Sequence, residues 1–348
     1  MTGKEKYFGN FPKAEKSDWE TAAREELQGA DPWKKLSSRM LGLEIAPYYD
    51  ATSCTNVAPL LRNQSGSFLG PRTWFNCPRV PVNDFAAANQ IALNHLQHGA
   101  DGVLFDLEVY GDIGILLKGI DPRHCSINLL INSQTELAKD LFQYFHSIPH
   151  ASDLLPGAIF CDSVSGLTSL NTAISHLHLG GRLMKPTGAA EDDLRKLFIG
   201  LLEENSVSSA RAAIGIPLGT SFFGDIITIR TARILWAEVQ KKTGNSHPLF
   251  ILGFSPVWTN EAYASHENML KSSMAAMAGV LGGCDAITLD PEKNNELSAR
   301  IARNVSNILR EESHLSKVAD PLAGTWFVEN ACQALSQKIW PSLQPLIS

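Results

Sequence analysis

Short runs rich in β-branched and apolar residues recur along this chain at 73–80 (TWFNCPRV), 102–107, 125–131, 157–162, 181–186, 212–219, 249–256 and 285–291. Segments with helical spacing separate them. They include DFAAANQIALNHLQHG with Asn83 as a candidate cap, SQTELAKDLFQYFHS, AAEDDLRKLFIGLLEEN, SFFGDIITIRTARILWAEVQKK closed by Gly244, and NEAYASHENMLKSSMAAMAGVLGG closed by Gly282 and Gly283. Buried strands that alternate with helices pair through crossovers, so neighbours run parallel and the sheet needs a helical cover. Eight such units close most simply as an α/β (β/α)8 barrel, a TIM barrel, and 348 residues suit one such domain with an extension.

The extension is at the start. SDWETAAREELQGADPWKKL offers Ser17 as a helix N-cap with Glu20 three residues on, and Trp19, Ala23 and Leu27 follow at helical spacing. Residues 1–50 therefore read as an amphipathic helical arm, 51–70 as a linker rich in Pro, Gly, Ser and Asn, and 71–348 as the barrel. Trp19, Leu27 and Trp33 give the arm apolar anchors that a segment this short cannot bury alone, which suits a partner-binding element or, alternatively, an arm folded back on its own barrel. Near the other end, in VADPLAGTWFVEN (318–330), Pro321 and Gly324 mark a turn, Thr325 to Val328 read as a short extended piece, and a new helix follows.

Net charge of −6 and a pI near 5.9 leave no electrostatic footprint for nucleic acid or an anionic membrane. Six scattered cysteines, at 54, 77, 125, 161, 284 and 332, form no C-x-x-C pair, which fits reduced thiols better than a zinc ribbon or a disulfide framework. The opening MTGKEKYFGNFPKAEKS has no apolar signal core, and the apolar helical stretch near Met274 to Leu281 is too short to span a bilayer. A cytoplasmic location is expected.

Ligand chemistry in a (β/α)8 barrel sits at the C-terminal strand ends. That rule selects Cys77, Pro78, Arg79, Phe105, Asp106, Leu107, Asn128, Asp162, Lys185, the Pro217 to Ser221 loop, Ser255 and Asp290. Phe105 and Asp106 are the cofactor-facing candidates among them. Lys185 could form a Schiff base if burial lowered its pKa, with Asp106 or Asp162 as proton-transfer partner, which would make a barrel lyase. His176 with His178, and His95 with His98, have spacings that could share a metal, but no third ligand is placed by sequence and no metal site is expected. Arg300, Arg303 and Arg310 with Glu311 and Glu312 read as a salt-bridged helix surface, and Phe222 and Phe223 as core packing.

ENMLKSSMAAMAGVLGGCDAITLDP, followed by ELSARIARNVSNILREESHLSKVADPLAGTWFVEN, resembles the last part of the barrel in the methylmalonyl-CoA mutase family, with its arginine-rich helix and Asp-Pro-x-x-Gly-aromatic segment. SFFGDIITIRTARILWAEV is similar to the family's Phe-Phe…Arg-x-x-Arg-x-x-Trp helix, and FPKAEKSDWETAAREELQG with IAPYYD to the arm of its small subunit. The resemblance implies a barrel that takes an acyl-CoA through its centre and holds adenosylcobalamin against its C-terminal face. There the cofactor carries the radical chemistry, while the protein positions and shields. Arg79 and Arg211 are candidate forked donors to the CoA phosphates, against the commoner reading of them as surface or loop-bracing arginines.

Departures from the family pattern point away from catalysis. The Asp-x-His-x-x-Gly loop that supplies a histidine to cobalt has no match; Asp121 and His124 come near it without the glycine. No cobalamin domain and no cofactor binding by this chain alone are therefore expected. Where catalytic members read Trp-x-x-Arg-Gln-Tyr, this chain has Trp74 followed by Cys77, Pro78 and Arg79, so Arg79 stands in place of the tyrosine. Lys185 stands where the resemblance places a carbonyl-binding histidine, and INLLI replaces a strand that reads SMTMN in catalytic subunits. The expectation is a non-catalytic small subunit that stabilises a large mutase chain as a heterodimer, or else a homodimer. An active acyl-CoA mutase barrel using cobalamin held by another chain, and the Lys185 lyase, are the alternatives.

Overall fold

A computed structural model describes residues 14–53, 74–131, 140, 143–145, 147–148, 157–161, 177–204, 211–255 and 267–347. Two short helices, α1 (Lys16–Glu26) and α2 (Pro32–Lys35), and a hairpin of β1 (Ser38–Met40) and β2 (Leu43–Ile45) precede the barrel. The barrel strands are β3 (Phe75–Asn76), β4 (Arg79–Val82), β5 (Gly102–Leu107), β6 (Ser126–Ile131), β7 (Gly157–Cys161), β8 (Leu177–Leu183), β9 (Ala213–Pro217), β10 (Phe250–Phe254) and β11 (Ala286–Thr288). The helices between and after them are α3 (Phe85–Gln97), α4 (Ile113–Leu116), α5 (Ala190–Glu204), α6 (Phe222–Thr243), α7 (Glu267–Gly282), α8 (Glu296–Glu311) and α9 (Trp326–Leu343).

All ladders among the barrel strands are parallel, in the order β3-β11-β10-β9-β8-β7-β6-β5-β4. The two ends of that order are consecutive pieces of one run, and this closes the sheet. On one side Phe75 N donates to Asp285 O at 2.7 Å and Cys77 N to Ile287 O at 2.9 Å; on the other, Asn76 O accepts from Asp101 N and Pro78 O from Leu104 N, both at 3.0 Å. The expected strand at 73–80 is thus split at Cys77–Pro78, because Pro78 has no N–H to give to a ladder and the run changes partner there. Counting β3 and β4 as halves, the barrel has the eight strands that the sequence rhythm calls for.

Side chains alternate across the sheet. Phe75, Cys77, Leu104, Ala158, Phe160, Ala213, Phe250, Leu252 and Ala286 point inward and form a cluster of their own, none of them more than 9% exposed, with Leu130 and Leu183 packed against it. Val80, Val82, Val103, Phe105, Leu107, Ile127, Leu129 and Ile131 point outward against α3 and α4, and Ile214, Ile216, Ile251 and Ile287 point outward into the layer that holds α6, α7 and α9.

Several boundaries differ from the sequence reading. α3 is capped by Asp84, whose carboxylate accepts from Ala87 N at 2.7 Å, rather than by Asn83. α1 starts one residue before Ser17, because Glu15 and Asp18 cap each other reciprocally. β8 begins at Leu177 and ends at Leu183, ahead of the expected 181–186. Thr325 to Val328 are not extended: Thr325 is the N-cap of α9, since Gly324 at φ 78° ends the turn and Val328, Glu329 and Cys332 bury one helical face. The extended preference of Trp326 and Phe327 yields to that burial.

The arm lies on its own barrel from the hairpin onward. Leu43 is buried in the barrel's helical layer, Lys338 Nζ of α9 donates to Gly42 O at 2.7 Å, and Asn330 Nδ2 donates to Ser53 O at 2.7 Å. α1 buries none of its residues; Trp19 packs on Trp33 and Tyr48, with ring centroids 5.1 and 5.0 Å away. Among the described residues, no helix is long and apolar enough to cross a membrane.

Candidate site at the barrel mouth

β5 sends Gly102, Leu104 and Asp106 inward and Val103, Phe105 and Leu107 outward. Phe105 is fully buried between sheet and helices, so it cannot face a cofactor at the mouth, and the expectation for it is corrected. Its strand neighbour Asp106 does reach the C-terminal opening. There it meets Arg79 of β4, with Nε 3.5 Å from Asp106 Oδ2, while Arg79 Nη1 lies 3.2 Å from Asp290 Oδ2 beyond β11. Burial pushes both carboxyls above the usual carboxylate range, Arg79 pulls both back down, and Asp106 pushes Asp290 further up.

One guanidinium serving two largely desolvated carboxylates is neutralised where it stands. Arg79 therefore fits a rim brace better than a phosphate donor. Arg211 precedes β9 and so lies at the opposite end of the barrel, which means that the two candidate CoA arginines do not converge on one anion. Ser255 is a strut beneath the mouth: its Oγ accepts from Asp290 N at 2.9 Å and its N–H donates to Thr288 O at 2.9 Å. Asn128 lies deeper, fully buried, accepting from Ala158 N at 3.1 Å and donating to Ser126 Oγ at 3.2 Å, a saturated core amide rather than a ligand group. Cys77 is equally enclosed, and burial pushes its thiol far up, away from nucleophilic use.

Lys185 follows the end of β8 and is exposed, and it lines a cavity of about 360 Å³ together with Arg182, Thr187, Asp193 and Lys196. The burial that Schiff-base chemistry requires is missing, and its would-be partner Asp106 is held by Arg79. Asp162 and His176 lie outside the described residues.

The histidines are structural. His178 Nδ1–H donates to Ala212 O at 2.9 Å with its ring 5.3 Å from that of Phe250, and His95 Nδ1 accepts from Arg303 Nη1 at 3.1 Å. Burial holds each ring neutral, with a pKa lowered to about 4, and Arg303 adds to the effect at His95. Among the described residues no group of three His, Cys, Asp or Glu could hold a metal.

Both rings are depressed in the fold and ordinary when unfolded. Their stabilisation is complete above pH 6.5 and is lost as pH falls from 6.5 towards about 4. The loss reaches about 2 kcal/mol per ring at pH 5. Asp225, raised to about 6 by burial, opposes it, so the test is a difference. His178→Gln is expected to lose about 2 kcal/mol less than the unmodified chain between pH 7 and pH 5 in urea unfolding. Equal losses in the two proteins would contradict the assignment.

The arginine motifs build the frame of the barrel rather than its mouth. On α6, Arg230 reaches both oxygens of Asp320 and Glu329 Oε1, each at 2.9 Å, and Gly324 N donates to the same Glu329 oxygen at 3.2 Å. The Asp-Pro-x-x-Gly segment is thus a turn that carries a counter-ion to a buried arginine. Arg233 binds Leu249 O, Gly283 O and Asp285, tying the starts of β10 and β11 together. α8 spans the closing seam of the barrel, with Trp74 Nε1 donating to Ser306 Oγ at 2.7 Å, Asn76 Nδ2 to Arg303 O at 2.9 Å and Arg310 Nη1 to Asp101 at 2.7 Å. The expected salt-bridged surface on α8 reduces to Arg310 with Glu311, since Arg303 is buried. Phe222 packs against the core, whereas Phe223 is 47% exposed and is not core.

Residues 209–346 match the family model described as methylmalonyl-CoA mutase. Over 97% of its length the chain is 24% identical to the methylmalonyl-CoA mutase small subunit of Porphyromonas gingivalis, and over 95% it is 23% identical to that of Streptomyces virginiae; it spans 63% of each of those proteins. The methylmalonyl-CoA mutase of Escherichia coli is 29% identical over 34% of the chain and 18% of its own length. Among solved structures, Yersinia pestis DHPS aligns with 79% of the chain and 99% of its own at 11% identity, with a TM-score of 0.37.

Proposed function

We propose that this chain, a relative of the methylmalonyl-CoA mutases, is a non-catalytic small-subunit partner of a catalytic mutase chain. The observation that carries this reading is the filled barrel axis. Phe75, Leu104, Phe160, Phe250 and Leu252 occupy the space along which the family resemblance would thread an acyl-CoA. The mouth adds support. Arg79 stands where the tyrosine is expected and is bound to Asp106 and Asp290, and Lys185 stands exposed where the carbonyl-binding histidine is expected.

The described residues do not fit adenosylcobalamin either. Phe105 faces the helices, Asp106 is paired, and His95 and His178 are buried with their Nδ1 atoms already hydrogen-bonded. No step is routed through the cofactor here. The role left to such a barrel is to brace a partner, and the arm segment ahead of the hairpin, where α1 buries none of its residues and Trp19 and Trp33 are half-buried against each other, is the element we assign to it.

Co-expression of the tagged chain with the large mutase chain of the same cell tests the reading. A stoichiometric complex is expected, and deletion of residues 1–36, which spares the docked hairpin, is expected to weaken capture at least tenfold. Recovery of the full chain alone would sink the proposed role. A normal complex from the deletion variant would remove the arm from it.

A further inference from the structure

We draw no further inference here: the strongest candidate, the exposed apolar face formed by Leu297, Ile301 and Ile308 of α8 with Met269 and Leu270 at the start of α7, is an unpartnered surface, and nothing in the structure shows what covers it.

Discussion

Replacement of Arg230 by methionine is expected to destabilise the barrel by about 3–5 kcal/mol, the usual cost of breaking a buried ion pair from one side. The guanidinium side chain is 2% exposed, and its partners Glu329 and Asp320 are 5% and 16% exposed. Methionine fills much of the volume but leaves two carboxylates with no cation. Glu329 would then have to take up a proton or admit water, and the turn at Gly324 would lose its anchor. Urea denaturation reads the loss as a lower midpoint at unchanged slope. The triple change Arg230→Met, Asp320→Asn, Glu329→Gln should recover most of it, because the uncompensated charge is gone. A single-variant loss under about 1 kcal/mol would mean that the triad is not the clamp described above.

Phe160→Ala is the second large effect, about 3–5 kcal/mol for truncating an enclosed aromatic ring. The ring is fully buried at the barrel axis, and β8 passes it so closely that a Cβ on Gly181 would lie 2.7 Å from its Cδ1 and 3.1 Å from the Ala213 methyl. Glycine at 181 is therefore a requirement of close approach rather than of backbone angle. The cavity left by the alanine stays enclosed by Phe75, Leu104 and Phe250, so acyl-CoA binding should not appear with the truncation. Stability within about 1 kcal/mol of the unmodified chain would show a loosely filled axis that a substrate could enter.

These two sites mark what the sequence can and cannot disclose. Strands buried on both faces read as continuous apolar runs, which is why β5, β6, β7, β9 and β10 lie within their expected ranges. β8 departs from its expected range, since it carries His178 near its start and two glycines, Gly180 and Gly181, at its middle, which look like neither a strand nor a helix. The motif residues Arg230, Arg233, Asp320 and Gly324 were recognisable as a family pattern, but their work was not. Arg230 meets Asp320 across 90 residues of chain and Arg310 meets Asp101 across 209, and no local periodicity encodes such pairs.

The same distance hides the work of Arg79. At a strand end it reads as an anion donor or as a brace, and one of its two counter-ions, 211 residues away, is visible only in the fold. Phe105 failed for a simpler reason. Along a strand one residue faces the axis and the next faces the helices, so the candidates Phe105 and Asp106 could not both face the mouth.

Turnover is the most direct test of the central claim that this barrel has kept the mutase frame without a working centre. The purified chain, given methylmalonyl-CoA and added adenosylcobalamin with no partner protein, is predicted to form succinyl-CoA at the rate of the protein-free control. Succinyl-CoA formation clearly above that control, scaling with the amount of chain, would contradict the account.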